Sequence, residues 1–225
     1  MLNQQIRDTI QQFRDNLPAE LAAKIEQGAG EISALDIIGK ALNVGNSVPD
    51  FSLSNQTGEQ RNLANYLQQG PLVLTFYRGL WCPFCNLQLK AYDERLAEIE
   101  ATGATLVAVT PEQPDALRIL KDGGAPEDFT DMAIENPDFD VLFDKDGDLS
   151  EKFGLQFILP KVHQDLLQSF NIDVEELTGN NRYAFPDPAT YVIDRDGQIT
   201  WAFVPNNYRK RAEVDDILAA LKKLS

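Results

Sequence analysis

Residues 72–96, LVLTFYRGLWCPFCNLQLKAYDERL, constrain this chain more than any other stretch. Leu72 to Tyr77 is an unbroken apolar run of strand length and predicts a buried strand. Arg78, Gly79, Leu80 and Trp81 form a short connection. Cys82-Pro83-Phe84-Cys85 then opens a helix whose apolar positions Leu87, Leu89, Tyr92 and Leu96 recur at roughly helical spacing. Cys82 and Cys85 are the only cysteines among 225 residues.

That spacing has a chemical use. In the first turn of a helix, residues i and i+3 lie within the Cα separation that a disulfide tolerates. Pro83 suits an early helical position, where its missing N–H would have had no partner. The free N–H groups and the positive end of the helix dipole favour thiolate over thiol. Thiolates at such sites have pKa values lowered to roughly 3.5–7.5. The stretch therefore reads as a reactive dithiol that closes into a disulfide. A structural disulfide over so short a loop constrains the unfolded chain little. Zinc needs two further ligands, and only His163 is left to offer one, so no metal is expected. Two inert core cysteines would use the residue merely as a small hydrophobe. A CxxC beside a strand–helix unit is a recognised redox signature.

Composition narrows the partners. Lys plus Arg number 20 and Asp plus Glu 35, a net charge of −15, which argues against nucleic-acid backbones and anionic membranes. No apolar run approaches the ~20 residues of a membrane helix. The start, MLNQQIRDTI, carries no apolar signal core, so a cytoplasmic protein is expected. There a lone CxxC is more often catalytic than structural.

Residues 1–43 read as an N-terminal helical extension and 44–225 as the main domain. Ile6, Ile10, Phe13 and Leu17 share one helical face, and Pro18 interrupts it. Ala19 to Gln27 resumes, Gly28 and Gly30 are expected to end it, and Ser33 with Asp36 to cap a third helix through Lys40. The segment carries no chemical motif. It reads as packing or, through its amphipathic pattern, as an oligomer or partner contact.

Beyond Val44, apolar and polar residues alternate around Phe51 and Leu53, and a turn at Asn55 to Gly58 predicts a short hairpin. Thr105 to Thr110 is a β-branched apolar strand, and Asp115 to Lys121 a helix stopped by Gly123-Gly124. Val141 to Phe143 is a strand before the acidic turn DKDGD. A calcium loop would need a Glu eleven positions after Asp144, where Leu155 stands, so a solvated turn is expected. Residues 155–187 read as irregular apart from a helix near His163 to Phe170, with His163 structural. Tyr191 to Asp194 and Ile199 to Val204 form an antiparallel pair about the Asp194-Gly197 turn, and Val214 to Leu224 an amphipathic helix.

Several of these residues carry a family resemblance: Gly45, Pro49-Asp50-Phe51, Leu53, Gly58, Phe76-Tyr77-Arg78-Gly79 and Trp81-Cys82-Pro83-Phe84-Cys85. The chain resembles the alkyl hydroperoxide reductase and thiol-specific antioxidant (AhpC/TSA) group, the peroxiredoxins, and within it a branch bearing CxxC. The likeness runs to about Leu224. It implies an α/β, thioredoxin-like fold with a central mixed β-sheet flanked by helices. It also implies reduction of a hydroperoxide or disulfide by a Cys82/Cys85 dithiol–disulfide cycle without a cofactor. The implied reductant is a thiol, such as a thioredoxin-like protein or glutathione, and a homodimer is a further implication.

The site departs from the family pattern PxxxTxxC. Aligned on Phe76-Tyr77, Arg78 stands at the Pro, Cys82 at the Thr and Cys85 at the peroxide-attacking Cys. Pro188 stands where the family's later active-site Arg is expected. Pro188 instead resembles the cis-proline that faces WCxxC in thioredoxins. By family position Cys85 attacks and Cys82 resolves; by thioredoxin analogy Cys82 attacks a disulfide and Cys85 resolves. Arg78 is expected to supply positive charge and Trp81 to pack at the rim. Arg209 and Arg211 are expected in solvent. A redox-inert binding domain that keeps the fold is the third reading.

Overall fold

A computed structural model describes residues 1–224. Two helices open the chain, α1 (Leu2–Asn16) and α2 (Ala19–Ser33), broken at Pro18 as expected. Gly28 and Gly30 do not end α2. A Cβ on Gly28 would overlap the His163 ring, so the glycine serves close packing inside a continuing helix. The expected third helix is absent, because other groups claim its hydrogen bonds. Asn206 Nδ2 donates to the Ser33 and Leu35 carbonyls at 3.2 and 2.7 Å. Asp36 Oδ1 accepts the Gly39 N–H at 3.1 Å, closing a local turn instead.

The hairpin β1 (Ser52–Ser54) and β2 (Gln60–Asn62) leads into α3 (Leu63–Gln69), capped by the Asn62 side chain. The central strand β3 (Leu72–Phe76) follows, then α4 (Pro83–Glu94) and α5 (Leu96–Glu100). Next come β4 (Thr105–Thr110), α6 (Ala116–Asp122), α7 (Glu127–Thr130), β5 (Asp140–Phe143) and α8 (Asp148–Lys152). The DKDGD turn is not solvated throughout: Asp144 is buried, and its carboxylate accepts the Leu149 and Ser150 N–H groups at the start of α8, both at 2.9 Å.

The stretch 155–187, expected to be irregular, folds as β6 (Gln156–Ile158), α9 (Lys161–Ser169), α10 (Val174–Thr178) and β7 (Ala184–Pro186). β6 and β7 pair antiparallel, a three-residue ladder too short for sequence periodicity to reveal. The chain closes with β8 (Ala189–Ile193), β9 (Ile199–Phe203) and α11 (Val214–Leu221).

The main sheet has the order β5-β4-β3-β8-β9. β3, β4 and β5 run parallel, whereas β8 is antiparallel to both β3 and β9. β3 is central and every residue in it is buried, which accounts for its unbroken apolar sequence. The helices lie about this mixed sheet. α1 packs on α4, the helix that begins at the dithiol, and α2 packs on α9, with Leu2 and Ile6 in the core. Among the described residues no helix is long and apolar enough to cross a membrane.

Candidate active site

The site begins where β3 stops. The Tyr77 N–H still reaches Val109 O at 3.0 Å, after which residues 78–81 turn the chain. Gly79 takes a φ of 148°, and a Cβ there would lie 2.6 Å from Trp81 Nε1 and overlap the Glu112 carboxylate. Glu112 is buried and pins the turn by accepting the Leu80 N–H at 2.7 Å. From the first turn of α4, Asn86 Nδ2 donates to Leu80 O at 2.7 Å and to Phe129 O at 3.0 Å. Cys82 is the N-cap of α4 and Pro83 its first residue, as the spacing predicts. The Cys82 carbonyl accepts the Cys85 and Asn86 N–H groups at 2.9 and 3.2 Å.

Both cysteines are free thiols, and neither is exposed at all (0%). Each sulfur meets a different guanidinium. Arg78 Nη2 donates to Cys82 Sγ at 3.1 Å. Its guanidinium lies 4.0 Å from the Tyr208 ring centroid and 4.8 Å from that of Trp81. Arg211 Nη2 donates to Cys85 Sγ at 3.0 Å, while Nη1 donates to Tyr208 O at 2.6 Å and Lys210 O at 2.8 Å.

Arg211 is the main correction to the sequence reading. It is 1% exposed, not solvated, and its guanidinium is on a sulfur 126 positions away. No motif surrounds it in sequence, and no periodicity marks it. Arg209 is not free either: Nη1 pairs with both oxygens of Glu26 in α2, at 3.1 and 2.9 Å.

The other expected residues fall as follows. Trp81 is buried beside the dithiol, edge-on to Phe185 with centroids 5.2 Å apart. Pro188 is buried directly before β8, whose Ala189 is in register with Phe76 of β3. It is not a cis-proline, because no peptide bond among the described residues is cis. His163 is buried, with Nε2 3.1 Å from Ile25 O and its ring edge-on to Tyr208. Burial pushes its pKa down to about 4.

Charge is divided unequally over the pair. Burial alone would raise the Cys82 thiol, but the adjacent Cys85 thiol and the charges of Arg78 and Arg211 hold it well below its ordinary value. Burial raises Cys85, and the negative charge on Cys82 raises it further. The surroundings thus favour negative charge on Cys82 over Cys85. Two carboxyls complete the surroundings. Burial lifts Glu112 to about 8 against the pull of the Leu80 N–H. Burial lifts Asp187 to about 6 against the pull of Arg211 and Arg78. Sequence reasoning missed both, since neither stands in a motif.

Comparisons with known proteins place the chain in a family. Residues 44–202 match the model of the AhpC/TSA family. The chain belongs to the AhpC/TSA family. Peroxiredoxin Bcp of Escherichia coli (strain K12) is 29% identical over 114 residues, 51% of this chain and 65% of that relative. The chain thus spans under two thirds of the length of Bcp. The thiol-disulfide oxidoreductase ResA of Geobacillus kaustophilus is 24% identical over 160 residues, 71% of this chain and 68% of that relative. The crystal structure of peroxidoxin BcpB from Mycobacterium tuberculosis superposes with a TM-score of 0.58 at 22% identity, covering 82% of this chain and 99% of that one. That likeness gives the AhpC/TSA chain its thioredoxin-like fold.

Proposed function

We propose that this protein is a thiol-dependent reductase of hydroperoxides that works through a Cys82/Cys85 dithiol–disulfide cycle. One observation carries the reading: two sulfurs three residues apart, both buried, each hydrogen-bonded by its own buried arginine. A guanidinium on a sulfur favours the thiolate, the nucleophilic form. The same guanidinium is a donor for the negative oxygen that develops as a peroxide bond breaks. It offers what the family's missing Thr and Arg would otherwise supply.

Cys82 takes the role of attacking sulfur. The Cys82 thiolate attacks the terminal oxygen of ROOH, the O–O bond breaks, and RO⁻ leaves and takes a proton as ROH. Cys82 is now a sulfenic acid. The Cys85 thiol attacks that sulfur, the S–O bond breaks, and hydroxide leaves with the Cys85 proton as water. The product is the 82–85 disulfide. Two electrons from an external dithiol, or from two thiols, restore the pair. Complete burial of both sulfurs supports a small oxidant, since a folded protein disulfide has no exposed sulfur surface to approach.

The electrostatic preference for Cys82 supports a second reading, thiol–disulfide exchange, and the likeness to ResA adds to it. Stopped-flow tryptophan fluorescence of the reduced protein with hydrogen peroxide separates the two. Peroxidase activity gives a fast second-order phase that disappears in Cys82→Ser and persists in Cys85→Ser, where the sulfenic acid is trapped by dimedone. No fast phase with peroxide, together with rapid reduction of a small disulfide, would leave exchange as the activity. As a homodimer carries over from the family only by analogy, sedimentation of the reduced and oxidised protein would test it.

A further inference from the structure

Arg211 has no support from regular structure of its own. It stands in the irregular segment between β9 and α11, yet it is as buried as the sheet. What holds it is the first turn of the chain. The Arg211 N–H donates to Asn3 Oδ1 at 3.0 Å, and Asn3 Nδ2 donates to the Arg211 carbonyl at 2.7 Å. One carboxamide thus satisfies both main-chain polar groups of a single residue, as a neighbouring strand would.

Asn3 is fixed in turn. The Glu213 carboxylate accepts the Leu2 N–H, the Asn3 N–H and Asn3 Nδ2, at 2.8, 2.8 and 2.9 Å. A carboxylate at that end of α1 meets unpaired N–H groups and the positive end of the dipole. Leu2 and Ile6 then anchor the turn in the core. The Arg211 main chain is therefore held from outside by α1, and from that anchor its side chain reaches Cys85 Sγ at 3.0 Å.

We infer that Asn3 is a positioning residue for the dithiol: its carboxamide fixes the Arg211 main chain and so sets the guanidinium on Cys85. The N-terminal helix is then part of the redox site's support. This deepens the reductase reading and rests on it for its use, but it concerns the state of a thiol and is measurable without any substrate.

The experiment is the pH profile of Cys85 alkylation by iodoacetamide, in the full chain carrying Cys82→Ser so that a single thiol reports. Arg211→Met, Asn3→Ala and their combination are compared. Moving a guanidinium a few ångströms from a buried sulfur is expected to lower the thiolate fraction at neutral pH by about tenfold. Asn3→Ala should shift the profile upward by that much, and Arg211→Met by more. In the Arg211→Met background Asn3→Ala should add nothing, since both act through one contact. Glu213→Gln, which leaves the shape of the cap but removes its charge, should shift the profile less and in the same direction. It also serves as the test if Asn3→Ala fails to fold. Coincident profiles for the parent and Asn3→Ala, with Arg211→Met shifted, would overturn the inference. So would an equal Asn3→Ala shift with and without Arg211. If the profiles behave as expected but peroxide gives no fast phase, the positioning role stands and the peroxidase reading fails.

Discussion

The two halves of the dithiol are built in opposite ways. Cys82 and its arginine come from one turn, four positions apart, at the end of β3. Cys85 meets an arginine 126 positions away, held by the first residues of the chain. One half is a local device and the other a tertiary one. The local half favours the thiolate; in the tertiary half burial and the neighbouring Cys82 push the second thiol up while Arg211 pulls it down. A site assembled this way gains two different thiols from two chemically equal ones, because each sulfur has a different neighbourhood.

The comparison breaks most clearly at the cysteines themselves. Cys82→Ser should lower the second-order rate with peroxide by about 10³-fold or more. Cys85→Ser should keep the first attack and stop after one equivalent. Stopped-flow and quenched-flow assays read both, and loss of the first attack only in Cys85→Ser would reverse the assignment of the halves.

Stability against pH should also separate the two sides. Glu112, under the local half, has its pKa raised to about 8. Its contribution is complete below the ordinary value of 4.5 and is lost as pH climbs towards about 8. His163, behind Tyr208 on the covering side, is depressed from 6.5 to about 4, so its contribution is complete above pH 6.5 and is lost as pH falls towards 4. By linkage the alkaline limb should amount to about 5 kcal/mol and the acid limb to about 3 kcal/mol. Urea unfolding between pH 4 and 9 should show both. Glu112→Gln should flatten the alkaline limb and His163→Asn the acid one. If both limbs survive both substitutions, other groups govern the pH dependence.

The arginines sharpen the contrast at the level of reactivity. Arg78→Met should slow alkylation of Cys82 at neutral pH by about 10- to 50-fold, and Arg211→Met by less, since it touches the other sulfur. Equal effects would mean that the pair shares its charge evenly. The smallest effect is expected where α2 meets α9. Gly28→Ala drives a methyl into the His163 ring and should cost about 1–3 kcal/mol in urea unfolding, with little change in the rate with peroxide.

The same division marks what could be read without the structure. β3, β4, the β8–β9 hairpin and the dithiol helix follow from patterns within a dozen residues, and they fall where those patterns put them. Gly28 misled because a glycine inside a helix looks the same in sequence whether it ends the helix or admits a neighbouring ring. The third helix failed because Asn206, far along the chain, takes carbonyls the helix would have used.

By itself, then, the amino-acid sequence determined the family, the fold class, and a dithiol at the head of a helix with one arginine beside it. The dithiol is a matter of spacing, a local property of a chain, whereas the family and the fold class were implied by the resemblance that its motifs carry. Only the tertiary structure decided that Arg211 is buried on Cys85, that Glu112 and Asp187 lie buried around the pair, and that Asn3 holds the Arg211 main chain. Each of those depends on removing a charged or polar group from water. Whether a group loses its water is set by what packs against it, and at this site the packing comes from both ends of the chain.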